Sequence, residues 1–147
     1  MLRDVYAGRL KLSGEEHEKT IEAAFSYAAF LHDLQRFKEA KALMRRTLPV
    51  ARRVLGESND TLKMRAMYAS ALHEDPAATL DELREAVTTL EDAGRIARRV
   101  MGGAHPITEW MERHLQKARA ALRARDRGDV DVESTREAMG AMTAGDA

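Results

Sequence analysis

The chain has no cysteine among its 147 residues, which excludes disulfide bonds, thiolate metal ligands and cysteine nucleophiles. Lysine and arginine (24) balance aspartate and glutamate (24), so the chain lacks the cationic excess that duplex nucleic acids attract. No apolar run reaches the length of about 18 residues that a membrane span needs, and the first residues lack the apolar core of a secretory signal. We therefore expect a cytoplasmic protein with neither nucleic acid nor membrane as a partner.

Residues that favour strands or interrupt helices are scarce. Aromatic residues make up 5% of the chain, and it has three prolines. Such a composition favours helix over sheet. A chain of this length is about one domain and can bury roughly 70% of its unfolded surface. We expect an all-α fold that forms unaided.

One short motif recurs along the chain. Ala-Arg-Arg-Val stands at 51–54 and again at 97–100. Each copy is followed by a polar turn that ends in a threonine, Thr61 or Thr108, and Thr20 closes a related earlier turn. Periods of about 20–50 residues are typical of solenoids, in which each unit covers the apolar face of the next. The sequence therefore predicts stacked units joined by turns of one design.

Between these turns, apolar residues recur every three or four positions, which predicts helices. Each full unit holds two such segments and is therefore a predicted helical hairpin. The predicted boundaries are a half unit (1–12), two full units (17–56 and 58–102), a terminal capping helix (106–125) and a polar, partly disordered tail (126–147). We expect six helices and allow for one short helix in the tail.

Two signals mark the connection inside the second full unit. Asp75-Pro76 predicts a helix cap followed by a proline in the first turn. Thr79 to Glu82 has the Thr-x-x-Glu pattern of a capping box. We expect the second helix of this unit to begin within this segment.

Three motifs resemble a known family. They are Tyr27-Ala28 in the first helix of a unit, Arg-Phe-Lys-Glu-Ala at 36–40 and Arg-Arg-Val-Leu-Gly-Glu at 52–57. Together they resemble the tetratricopeptide repeat (TPR) of the 42-residue, kinesin-light-chain-like type, over residues 1–125. The resemblance implies a TPR-like α-solenoid, a right-handed stack of antiparallel helical hairpins. It also implies a protein-binding scaffold whose first helices line a concave groove for a peptide or helix of a partner protein.

The family's concave positions, carried over residue by residue, give the candidate groove. They are Glu22, Phe25, Ser26, Ala29 and His32, then Lys63, Ala66, Met67, Ser70 and His73, and finally Trp110, Arg113, His114 and Lys117. Phe25, Met67 and Trp110 are the expected apolar anchors, because aromatic residues and methionine are enriched at interfaces. The groove runs from acidic to basic, so we expect a partner of opposite charge polarity.

The family's paired asparagines, which clamp a peptide backbone, have no counterparts at these positions. Packing of an apolar helix face is therefore the expected mode of binding.

His32 and His73 stand at equivalent positions of the two units, and each precedes an acidic residue. Two ligands are too few for a metal site, and equivalent positions on packed helices lie about 8–10 Å apart. We expect solvated groove histidines and neither a metal nor another cofactor. The sequence also lacks a nucleophile beside a base, converging carboxylates and a phosphate-binding glycine loop, so we expect no enzymatic activity.

The two ends of the predicted array differ. Gln116 and Arg119 replace apolar residues in the terminal helix, as a solvated cap requires. Leu2, Val5 and Tyr6 of the half unit would be partly uncovered, which suggests contact with another chain. The alternative function is therefore a structural or self-associating subunit of a larger assembly, a possible homo-oligomer through residues 1–12. A third hypothesis is that the chain is a fragment of a longer repeat protein.

Overall fold

The computed structural model describes the backbone of residues 1–145 and the side chains of residues 1–128 and 135–140. Its helices are α1 (Leu2–Ser13), α2 (Glu18–Asp33), α3 (Phe37–Leu55), α4 (Asn59–Glu74), α5 (Leu80–Met101) and α6 (Pro106–Gly145). No strand occurs within the described residues. The predicted fold class, an all-α stack of helical hairpins, is confirmed.

The helices form two layers. Each helix packs mainly against its neighbours in sequence, from α1 against α2 to α5 against α6. In addition, α2 contacts α4 and α4 contacts α6, whereas α1, α3 and α5 do not approach one another this closely. Because only α2, α4 and α6 touch within their layer, that layer is the tighter, inner side of the stack.

The repeated turns share one backbone geometry. Gly56 and Gly102 follow α3 and α5 with φ of 66° and 88°, a region that favours glycine, and each amide donates to the carbonyl four residues earlier. The threonines after the turns, Thr20, Thr61 and Thr108, are at most 2% exposed. The Oγ1 of Thr61 donates to the Gly56 carbonyl at 2.7 Å, and that of Thr20 donates to a carbonyl of α1. At these two turns, the threonine ties an inner helix to the end of the preceding outer helix.

Small side chains bring the helix axes together. Ala28, Ala40, Ala69 and Ala86 are 0% exposed, on α2, α3, α4 and α5 respectively. A larger side chain at one of them would overpack the core, which typically costs about 1–3 kcal/mol. The larger buried residues that fill the space around them include Ile21, Leu31, Met44, Leu62, Leu72, Leu90 and Met111.

A buried charged network, which the sequence did not indicate, links α3 to the α4–α5 connection and to α5. Lys41 on α3 is 4% exposed. Its Nζ donates to Asp75 Oδ2 at 2.8 Å and to Glu82 Oε2 at 2.6 Å. Burial lowers the pKa of Lys41, but the hydrogen bonds and charges of the two carboxylates outweigh it, so the pKa is raised. Lys41 therefore holds its charge and ties the two hairpins together.

The start of α5 was predicted in part. Thr79 and Glu82 form the expected capping box, and α5 begins at Leu80. The Asp75-Pro76 prediction is wrong, because Asp75 follows the end of α4. Its carboxylate accepts the amide of the residue two positions later at 2.9 Å and so stabilises a turn rather than a helix start.

Helix α6 is longer than predicted. It was expected to end at Arg125, but it continues without a break to Gly145. The polar residues after Arg125 are predicted as a tail, yet they include no proline. Each of their three glycines costs a helix only about 1 kcal/mol. Arg125 also anchors this part of α6, because its Nη1 donates to the carbonyl of buried Ala78 at 2.7 Å.

At the C-terminal side of the stack, Gln116 and Arg119 are exposed, and Arg119 pairs with Glu91 at 3.3 Å. Residues 146–147 of the predicted tail lie outside the described residues. The division of the chain into repeat units stays a prediction. Within the described residues, none of the helices is both long and apolar enough to span a membrane.

Candidate partner-binding groove and histidine cluster

A groove of about 380 Å³ crosses the inner layer. All three inner helices line it, with Phe25 and His32 from α2, Lys63, Ala66, Met67 and Ser70 from α4, and Pro106, Ile107 and Trp110 from α6. A cavity of about 150 Å³ holds benzene. The groove therefore has room for about two groups of that size.

The structure brings together half of the predicted groove residues. Those that line the groove are Phe25, His32, Lys63, Ala66, Met67, Ser70 and Trp110. The others lie outside its lining. They are Glu22, Ser26, Arg113 and Lys117, which are exposed, Ala29, which is half-buried, and His73 and His114, which belong to a separate cluster.

The three predicted anchors are half-buried. Phe25 packs against two groups of core side chains, and Trp110 packs against the larger of them. Their inner parts are thus held by the core while their outer parts face the groove. Met67 lies between them on α4, and its flexible thioether can adapt to the shape of a ligand.

The hydroxyl of Ser70, in the groove wall, has no hydrogen-bond partner among the described residues. Ser70 is 2% exposed, and its Oγ makes no hydrogen bond with any described residue. An unsatisfied buried hydroxyl costs about 1–3 kcal/mol. A ligand with a polar group at this point would remove that cost.

Three cationic side chains lie on α4 and α6, and the carboxylate of Glu109 on α6 is exposed as well. Lys63, Arg113 and Lys117 are exposed and form no ion pair with a described residue. On α2, Glu22 is paired with Lys19 at 3.4 Å. The three cationic side chains therefore attract acidic groups.

Next to the groove, three histidines converge on Glu74, the last residue of α4. His73 Nε2 lies 3.1 Å from His114 Nδ1 of α6. His32 Nε2 of α2 lies 2.7 Å from Glu74 Oε2, and His114 Nδ1 lies 3.8 Å from Glu74 Oε1. The side chain of His32 is 19% exposed and His73 is half-buried, so neither is the solvated residue that we expected. The side chain of His114 is 12% exposed.

The surroundings keep two of these imidazoles neutral. Burial lowers the pKa of His73, and burial together with the charge of His73 lowers the pKa of His114 to about 4. The ring of Trp110 stacks on that of His114, with centroids 3.6 Å apart and planes at 17°. Two neutral rings, those of His73 and His114, thus lie beside the Glu74 carboxylate.

Residues 28–60 match the family model of the tetratricopeptide repeat. Over these residues the chain is similar to a tetratricopeptide repeat. The matched residues run from α2 through α3 into the first turn of α4 and include two of the three motifs that carried the resemblance. Tetratricopeptide repeats generally mediate protein–protein interaction or scaffolding and form a non-catalytic family of modules. No curated protein matches the chain.

Pro106 and Ile107, which line the groove at the start of α6, do not stand at concave positions of the tetratricopeptide frame. Pro106 is predicted only as the first residue of the terminal helix. Ile107 precedes Trp110 by three positions, a spacing that places two side chains on one helix face. This spacing could have identified Ile107 as a neighbour of the predicted anchor.

The convergence of His73 and His114 had no comparable signal. His73 stands at the end of α4, whereas His114 stands in the third turn of α6. They are not equivalent residues of the predicted repeat units, and their contact depends on how the two inner helices cross. The kinesin-light-chain-like type of the repeat stays a prediction.

Proposed function

We propose that this chain is a protein-interaction module whose inner groove binds an apolar helix or peptide segment of a partner protein. The observation that carries the proposal is the groove itself, in which Phe25, Met67 and Trp110 bring one partly exposed apolar side chain from each inner helix. Helical ligands commonly insert a few apolar side chains into a groove of this kind.

The size of the groove sets an affinity range. Burying one large apolar side chain contributes about 1.5–3 kcal/mol, so two anchors contribute about 3–6 kcal/mol before the cost of association. A micromolar Kd corresponds to about 8 kcal/mol. Contacts at the rim have to supply the rest. We therefore expect micromolar or weaker binding that depends on polar contacts as well as apolar ones.

The rim favours an acidic partner segment. Lys63 lines the groove, while Arg113 and Lys117 stand on α6 without an ion pair to a described residue. The free Oγ of Ser70 offers one hydrogen bond within the wall. A helix with two apolar anchors and flanking Asp or Glu residues satisfies all of these groups. Binding of such a helix would weaken as salt is added.

A displayed library of helical peptides, selected on the immobilised chain, supplies a ligand for the test. Trp110 is the single tryptophan of the chain, so its fluorescence follows a titration with the selected peptide. Phe25→Ala and Met67→Ala should each weaken binding by at least about tenfold, because each removes an anchor worth more than about 1.4 kcal/mol. A partner recovered from cells by pull-down can be titrated in the same way.

Phe30→Ala is the matched control. Phe30 stands on the same helix as Phe25 and is 47% exposed, but it does not line the groove. It should leave the affinity unchanged. Selected peptides that bind Phe25→Ala and Met67→Ala as tightly as the unchanged chain would refute the groove as the binding site, provided that circular dichroism shows both variants to be folded.

The exposed side of α1 supports the alternative, a self-associating subunit. None of its residues is buried, and Val5 and Leu12 are 47% and 84% exposed. A second copy of the chain could cover them. Light scattering over a wide concentration range tests this function, with Val5→Glu and Leu12→Glu expected to abolish any dimer. A strict monomer at high concentration would eliminate it. The cytoplasmic location and the absence of nucleic-acid partners are retained as parts of the proposal.

A further inference from the structure

We propose that His73, Glu74 and His114 form a binding site for a divalent transition-metal ion of the Zn²⁺ class. The site lies where the end of α4 meets α6. It goes beyond the proposed protein-binding function and does not depend on it, because neither a partner nor an occupied groove is needed for the ion to bind.

The donor atoms already stand close to metal-binding positions. Two ligands at the usual Zn–N distance of about 2.0–2.1 Å, at a tetrahedral angle, are about 3.3 Å apart. His73 Nε2 and His114 Nδ1 are 3.1 Å apart. Glu74 Oε1 lies 3.8 Å from His114 Nδ1, and one donor atom of each residue lies within 4.8 Å of the others. Small rotations of the side chains would bring the three donors around one ion.

The protonation state of the two histidines suits this role. A metal ion needs the lone pair of a neutral imidazole. Burial lowers the pKa of both His73 and His114, so neither ring has to lose a proton at neutral pH. The positive charge of Lys117 also lowers the pKa of both histidines, and that of Arg113 lowers the pKa of His114. The carboxylate of Glu74 supplies the opposite charge that an incoming cation requires.

His32 and Trp110 provide the surrounding support. His32 Nε2 lies 2.7 Å from Glu74 Oε2, the oxygen that the proposed ligand set does not use. The His32 nitrogen is buried and is not aligned for a hydrogen bond with the carboxylate. A small movement of the carboxylate toward the ion would align the two groups and give His32 Nε2 a hydrogen-bond partner. Ligating carboxylates usually have such a hydrogen bond. Trp110 stacks on His114 and restricts its ring.

The donor set selects the class of ion. Imidazole nitrogens suit Zn²⁺, Co²⁺, Ni²⁺ and Cu²⁺, whereas Mg²⁺ and Ca²⁺ prefer oxygen ligands throughout. Three protein ligands leave one tetrahedral position for water or for a side chain of another molecule. We therefore expect binding of Zn²⁺ and Co²⁺ and no comparable binding of Mg²⁺.

Titration of the chelator-treated full chain with Zn²⁺ tests the proposal by calorimetry and by Trp110 fluorescence. We expect one ion per chain, and with Co²⁺ the visible absorption bands of a site with nitrogen ligands. His114→Asn and Glu74→Gln should weaken Zn²⁺ binding by at least about tenfold, and His32→Gln by about 10- to 100-fold, the usual effect of losing an outer-shell partner.

The other two histidines give matched controls. His17 and His105 stand at the starts of α2 and α6, where each Nδ1 accepts a backbone amide two residues later. His17→Asn and His105→Asn keep a good helix cap and should leave the Zn²⁺ affinity unchanged. Phe25→Ala, which leaves all three proposed ligands in place, should leave it unchanged as well.

Three results would overturn the proposal. They are the absence of Zn²⁺ binding by the unchanged chain, equal binding of Mg²⁺ and Zn²⁺, and unchanged Zn²⁺ affinity in folded Glu74→Gln. If His114→Asn does not fold, Glu74→Gln still decides, because the Glu74 side chain is 34% exposed and its replacement keeps its shape. Loss of peptide binding in Phe25→Ala with intact Zn²⁺ binding would support both proposals separately.

Discussion

Lys41→Met removes the central charge of the buried network and keeps most of the side-chain volume. Lys41 stands on α3, and its two carboxylate partners, Asp75 and Glu82, stand in the α4–α5 connection and on α5. The variant thus leaves two acidic groups without their cation inside the stack. Methionine replaces the methylene chain of the lysine, so packing changes little.

The expected cost follows from what each carboxylate retains. Removing one partner of a buried ion pair typically costs about 3–5 kcal/mol. Glu82 keeps the Thr79 amide at 3.2 Å, lies 4.0 Å from Arg45 and is 18% exposed, while Asp75 keeps one backbone amide. These remaining contacts place the cost at the low end, about 3 kcal/mol. At about 2–4 °C per kcal/mol for a chain of this size, Tm should fall by roughly 6–12 °C.

Urea unfolding followed by circular dichroism measures this change as a lower midpoint with an unaltered slope. Lys38→Met is the control, because Lys38 is exposed on the same helix and its loss should stay within about 0.5 kcal/mol. Adding Asp75→Asn and Glu82→Gln to Lys41→Met should restore part of the stability, since neutral groups no longer need the cation. If Lys41→Met alone were as stable as the unchanged chain, our account of the network as a joint between hairpins would be wrong.

Three further predictions concern other helix contacts. Thr79→Ala should lower the free energy of unfolding by about 1 kcal/mol through loss of the capping box, as measured by urea unfolding. Thr88→Ala is the control, because Thr88 is exposed in the same helix and its replacement should cause no such loss. Arg125→Ala should cost about 1–3 kcal/mol in the same assay, because it leaves a buried carbonyl without its donor; no change would argue against anchoring of α6. A hydrogen bond from Arg65 holds the pKa of Asp92 below its usual 3.8. The unchanged chain should therefore be more stable than Asp92→Asn above that pH, and this difference should disappear as the pH falls through the lowered pKa of Asp92. A difference in stability that did not depend on pH would contradict this.

The groove could be predicted in part because each of its anchors lies on the first helix of a predicted unit. Phe25, Met67 and Trp110 each lie on the inner face of a helix whose apolar stripe is visible in the sequence. The exact lining could not be predicted, because it depends on how far each helix is displaced along its neighbour. Arg113 and Lys117 therefore lie outside the lining, whereas Ile107 lies within it.

Local patterns in the sequence alone determined the all-helical stack, the repeated turns at Gly56 and Gly102, and the capping box of Thr79 and Glu82 at the start of α5. These features depend on residues a few positions apart, whose backbone conformations and hydrogen bonds are set by short-range chemistry. Only the tertiary structure brought Lys41 to its carboxylates and His73 to His114. These partners are 34 to 41 residues apart, and their contact is decided by the crossing of packed helices, which no local pattern records.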